Sequence, residues 1–121
     1  MDIEIIIYGT PEALSNNRKQ LDSVLEFLKS AEKTNMLLYT INFSSYPRLI
    51  RGIIKNQMQN NSQELGINIY ADWDGVYKKH FELDPKKVTF FLLDNDGLIC
   101  KKFYFQDSTD TLSKINENIS W

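Results

Sequence analysis

The chain has 121 residues, 42% hydrophobic and 25% charged, with a formal net charge of −2. That is the size and make-up of one soluble globular domain, residues 1–121, with a real core. The charge balance supplies no basic field, so no nucleic-acid partner is expected. No apolar run approaches the roughly 18 residues needed to span a bilayer, so no membrane insertion is expected.

The single cysteine, Cys100, excludes an intramolecular disulfide and a dithiol cycle within the chain. The abundance of Asn, Lys and Ile reads as codon bias of an AT-rich genome. The first residues have no positive n-region or small-residue cleavage site. That points to a cytoplasmic protein, or to the trimmed form of an exported one.

Ile3 to Tyr8 is a β-branched run expected as a strand buried on both faces. Gly9-Thr10-Pro11 breaks it. A helix is expected between Pro11 and Ser30, with Leu14, Leu21, Val24, Leu25 and Leu28 on its apolar face. Met36 to Phe43 is a second strand, with Leu37, Leu38 and Ile41 as core. Ser44-Ser45-Tyr46-Pro47 opens the next helix by serine capping and a first-turn proline. Its buried face is expected at Leu49, Ile50, Ile53, Ile54 and Met58, with Asn60 to Gln63 as a polar exit.

Ile67 to Tyr70 is a short strand, Asp72-Trp73-Asp74-Gly75 a turn, and Val76 to Leu83 a short helix. Val88 to Leu93 is an apolar strand. Asp94-Asn95-Asp96-Gly97 then reverses the chain, with Gly97 free to take positive φ. The returning strand reaches Phe105, and Asp107 or Ser108 caps a last helix carrying Leu112, Ile115 and Ile119. The order β-α-β-α-β-(short α)-β-β-α argues for an α/β layer structure. It predicts a mixed central sheet flanked by helices on both faces.

That order, with Asp72 to Leu83 followed by Val88 to Leu98, resembles the thioredoxin-like superfamily. Within it the chain is similar to the YtfJ family of small bacterial proteins. That family carries the same pair of Asp-Gly turns separated by a helix and a strand, and a similar polar run before the first turn, here Asn60-Asn-Ser-Gln-Glu64. Members resemble exported periplasmic proteins and have no settled activity.

The resemblance locates the chemistry. In redox-active relatives the nucleophilic cysteine lies between the first strand and the first helix, where the helix N-terminus favours a thiolate. The matching stretch, Gly9 to Asn17, holds no cysteine and carries Glu12 instead. Disulfide exchange of the usual kind therefore has no nucleophile. Where relatives carry a cis-proline before the hairpin, this chain has Val88. A trans Lys87–Val88 bond is expected, because a non-proline cis bond costs roughly 3 kcal/mol. The groove implied by the fold, formed by Thr10, Pro11, Lys87 and Val88, is expected to accept a peptide backbone by strand addition.

Other residues invite chemistry. Thr10, Ser15 and Arg18 suit anion binding or, more plainly, ordinary capping. Cys100 reads as a small core or half-buried residue, and Lys101 and Lys102 would favour its thiolate if it were exposed. His80, the one histidine, has no spacing that pairs it with Cys100 or a serine, and is expected on the helix surface. Asp72, Asp74, Asp94 and Asp96 fail the EF-hand pattern, with Tyr70 and Leu92 at the first ligand positions; turn chemistry explains them and no metal is implied.

Arg48, Arg51 and Lys55 form a basic stripe, either solvated or aimed at an acidic partner. Lys101 to Phe105 alternates as a strand over a core. Tyr70, Trp73, Tyr77 and Phe81 are a candidate partner patch if they do not all face inward. No cofactor is implied. The expected function is non-catalytic binding of a protein or peptide. The alternatives are thiol-dependent chemistry through Cys100 and a structural subunit of a homodimer.

Overall fold

A computed structural model describes residues 3–119. Five strands form one sheet in the order β3-β2-β1-β4-β5. They are β1 (Ile5–Gly9), β2 (Leu37–Asn42), β3 (Asn68–Asp72), β4 (Thr89–Leu93) and β5 (Ile99–Tyr104). β1, β2 and β3 are parallel, with Ile7 opposite Tyr39 and Tyr39 opposite Ile69. β4 runs antiparallel to both β1 and β5. The carboxyl ends of the three parallel strands therefore share one edge of the sheet with the segment entering β4.

The expected first helix is two. Thr10 caps α1 (Pro11–Asn16), its Oγ1 accepting from Ala13 N at 3.1 Å, and α2 (Arg18–Ser30) restarts after Asn17. Ala13, Leu14, Leu21, Val24 and Leu28 pack with Ile5, Ile7, Leu37, Val88, Phe90 and Leu92, and with Ile115 and Ile119 from α5 (Ser108–Asn118). Asp107 provides the α5 cap, accepting from Asp110 N at 2.8 Å. Of the expected β2 core, Leu37 is buried, while Leu38 and Ile41 are only partly so.

The opposite face of the sheet carries a smaller cluster. Tyr8, Leu83 and Phe91 are buried there under Tyr77 and Phe81 of α4 (Val76–Phe81). Among the described residues no helix is long and apolar enough to cross a membrane.

The third helix departs most from expectation. Pro47 precedes a 3-10 turn, Arg48–Ile50, which leads into α3 (Arg51–Leu65), and no serine side chain caps it. The polar run Asn60 to Gln63 lies inside the helix. Of the expected buried face only Ile54 is buried; Ile50 and Met58 are half-buried, and Leu49 and Ile53 are 95% and 61% exposed. The reason is position. α3 lies along the edge strand β3, so only a narrow stripe of it meets the sheet.

Burial also sets a pH response. Tyr39 is pushed up to about 12, chiefly by burial and then by Asp22. Tyr8 and Tyr77 are also raised, burial again being the largest cause. The folded state holds these phenolic protons more tightly than the unfolded chain, whose tyrosines titrate near 10.0. The stability they contribute is therefore complete below pH about 10 and is lost as pH rises through about 12. Urea unfolding between pH 9 and 12 should show stability falling above pH 10, and Tyr39→Phe should flatten that fall. An unchanged slope in Tyr39→Phe would show that the phenol does not contribute.

Candidate functional site

The shared edge holds a groove. One half is a cleft of about 460 Å³ lined by Thr10, Glu12, Ala13, Asn16, Asn42, Ser44, Ser45, Lys78, Pro85 and Lys86. The other half, about 450 Å³, is lined by Ser44, Tyr46, Arg48, Arg51, Trp73, Asp74, Gly75, Lys78 and Lys79. Ser44 and Lys78 line both, so the two clefts adjoin. In open α/β sheets this edge, outside the carboxyl ends of the parallel strands, is where ligands bind.

Its walls are held by hydrogen bonds. Thr10 Oγ1 donates to Pro85 O at 3.3 Å, tying the end of β1 to the loop before β4. Asn42 Oδ1 accepts from Ser44 N at 2.9 Å and turns the chain out of β2. Asp72 is buried and accepts three bonds, from Tyr8 OH at 2.7 Å, Val76 N at 2.9 Å and Tyr77 N at 3.1 Å. Gly75, the residue that enters α4, takes φ 66. The positive φ favours glycine, and a Cβ there would also crowd Ser44 Oγ at 3.1 Å. Asp72 then supplies from upstream the cap that glycine lacks. Tyr8 stacks on Tyr77 at 5.1 Å.

The expected groove residues separate. Thr10 lines the groove. Pro11 is half-buried and faces a different cleft, beside Leu14 and Arg18. Lys87 is exposed, its Nζ 4.9 Å from the centre of the Tyr104 ring. Val88 is 1% exposed and its carbonyl accepts from Phe105 N at 2.8 Å, so neither its side chain nor its carbonyl is open to a ligand. The described chain has no cis peptide, so the Lys87–Val88 bond is trans.

The aromatic patch also divides. Tyr77 and Phe81 cover the sheet, and Tyr70 is 56% exposed on the edge strand. Trp73 packs on Phe43 with ring centres 5.4 Å apart. His80 is exposed and meets the Phe81 ring edge-on at 4.7 Å. Of the basic stripe, Arg48 and Arg51 enter the groove. Lys55 lines another cleft with Met58, Tyr70 and Trp73. Sequence reasoning missed Lys78, Lys79 and Lys86 as groove residues. The signal for Lys78 and Lys79 was the basic run after Gly75, which acquires meaning only when the fold sets it in one cleft with Arg48 and Arg51; Lys86 lies in the loop before β4 and lines the other half.

Cys100 is exposed, against the expectation of a core or half-buried residue. Leu92 pairs with Lys101 and Leu93 with Ile99, so Cys100 is the extra residue of a β-bulge and falls out of the ladder. Its thiol donates to Leu92 O at 3.3 Å. Leu92 pairs with Ile5, the first residue of β1, whereas the groove begins after Gly9, the last. The thiol and the groove thus lie at opposite ends of a strand about 13 Å long.

The sheet order, the antiparallel β4-β5 pair and the helices about them define a thioredoxin-like α/β domain. Solved structures of that fold superpose on it. The pneumococcal exposed lipoprotein thioredoxin from Streptococcus pneumoniae matches with a TM-score of 0.67 and 15% identity, over 93% of this chain and 82% of that one. StoA from Bacillus subtilis matches with a TM-score of 0.58 and 18% identity, over 90% of this chain and 78% of that one. No protein-family model and no curated protein matches the sequence.

Proposed function

We propose that this is a non-catalytic binding module of the thioredoxin-like fold, of YtfJ-like type, which holds an extended segment of a peptide or protein partner in the groove beyond β1, β2 and β3. One observation carries the reading. The strand-helix junction that bears sulfur in redox-active relatives carries Thr10-Pro11-Glu12, with the Thr10 hydroxyl committed to the α1 cap and to Pro85. The protein's one thiol stands at the far end of the sheet. The groove wall offers hydroxyl, amide and ammonium groups, which suit a peptide backbone and polar side chains.

Purified monomer should give no disulfide reduction above the buffer rate in a coupled insulin-reduction assay, with and without Cys100→Ser. Turnover that depends on Cys100 would replace the binding reading with a thiol enzyme.

The exposure of Cys100 favours a second reading, a homodimer joined through the edge strand β5. Native protein should react with one equivalent of a thiol reagent without denaturant. Protection of Cys100 until the chain unfolds would contradict its exposed placement. Under oxidising conditions, a covalent dimer on non-reducing gels that Cys100→Ser removes would support the homodimer. A strictly monomeric protein would remove it.

A further inference from the structure

We infer that the Trp73 end of the groove is an anion site, and that the segment it receives is acidic, carrying clustered aspartate or glutamate. This rests on the binding reading above and specifies its partner. Four cations, Arg48 from the 3-10 turn, Arg51 from α3, and Lys78 and Lys79 from α4, come into one cleft of about 450 Å³, with Asp74 as the one carboxylate in its lining. The protein as a whole is net negative, so this concentration runs against the overall sign.

None of the four cations has a carboxylate partner among the described residues, where the ion pair formed is Lys114 to Asp110 at 2.8 Å. Arg51 is also braced for a ligand. Its guanidinium carbon lies over the Trp73 ring, 5.0 Å from the centre, and Trp73 is itself held by Phe43. Arg51 Nε is buried with no acceptor. A guanidinium backed by an aromatic ring keeps its plane, and its remaining N–H groups suit a carboxylate.

Two features favour an acidic peptide over a free small anion. The cation cleft adjoins the Thr10 half, with Ser44 and Lys78 lining both, so a chain that places a carboxylate in one has polar surface to continue along in the other. That half presents polar groups from Asn16, Asn42, Ser44 and Ser45, donors and acceptors for a main chain, and its one carboxylate, Glu12, offsets one of its two lysines, Lys78 and Lys86.

The test is titration by calorimetry of the full chain with two octapeptides, alternating Asp-Ser and alternating Asn-Ser, and with inorganic phosphate and citrate. The acidic peptide should bind roughly tenfold or more tightly than the amide peptide and weaken steeply with salt. Arg48→Glu/Arg51→Glu should remove that preference while leaving amide-peptide binding in place. Lys78→Gln/Lys79→Gln should reduce the preference part-way and serves if the first variant does not fold. Equal affinity for the two peptides would overturn the acidic site and leave the groove reading standing. Binding of neither peptide would overturn both. Citrate or phosphate binding as tightly as the acidic peptide would make this a small-anion site and overturn the peptide assignment.

Discussion

Asp72→Ala should lower the stability of the domain by about 3–5 kcal/mol, a fall in Tm of roughly 10–20 °C. Asp72 is 5% exposed and joins parts of the chain distant in sequence. Its oxygens accept from Tyr8 on β1 and from the first two amides of α4. Alanine strips the cap from α4 and leaves the Tyr8 hydroxyl buried without an acceptor, since Tyr8 is itself buried.

The single bond can be isolated. Tyr8→Phe should cost only about 1 kcal/mol, and less still when Asp72 is already alanine, because the two residues share one interaction. Asp72→Asn keeps an acceptor oxygen and should fall between wild type and alanine. Urea unfolding measures the four variants against wild type. A loss below about 1 kcal/mol for Asp72→Ala would mean that α4 is held by its aromatic face alone. The consequence reaches the groove, because Lys78 and Lys79 stand on α4. Peptide affinity should fall in Asp72→Ala even at temperatures where the sheet remains folded.

The sequence was most legible where one physical rule acted alone. Val88 to Leu93 reads as a strand because nothing interrupts its apolar run, and Asp94 to Gly97 reads as a turn because Gly97 must take positive φ, observed at 79. The five strands and their fold class followed from such segments. Helix faces were less legible where the neighbour was unknown. Leu49 and Ile53 have core spacing and still face solvent, since the sheet ends at β3 and offers them no second wall.

Val88 shows the same limit in reverse. Its place in the chain marks the groove, but its apolar side chain is drawn under Gly9 and Leu14; a Cβ on Gly9 would lie 3.5 Å from Val88 Cγ2. The exposure of Cys100 depends on a one-residue bulge, which no local pattern announces. The groove itself is assembled from ends of strands up to 75 residues apart, as in the bond from Thr10 to Pro85. Charge runs that look like ordinary solvated surface come together in one cleft only after that assembly.

Phe90→Ala should cost about 3–5 kcal/mol, comparable to Asp72→Ala but by a different route. Phe90 is fully buried on β4, between the central strand β1 and the edge strand β5. Its ring stacks on Phe103 at 5.4 Å and on Phe105 at 5.5 Å. Alanine removes the shared partner of both, leaves a cavity that strands on either side resist closing, and loosens the packing of β4 with the edge strand β5. Phe90→Leu should recover most of the loss, because volume matters more here than aromaticity. The contrast is with Leu49→Ser, of nearly the same hydrophobic class, which should change stability by no more than about 0.5 kcal/mol. Denaturant midpoints with unchanged m-values would assign both results to the folded state. A large loss at Leu49 with little at Phe90 would place the core on α3, and the groove described above would then lack its supporting sheet.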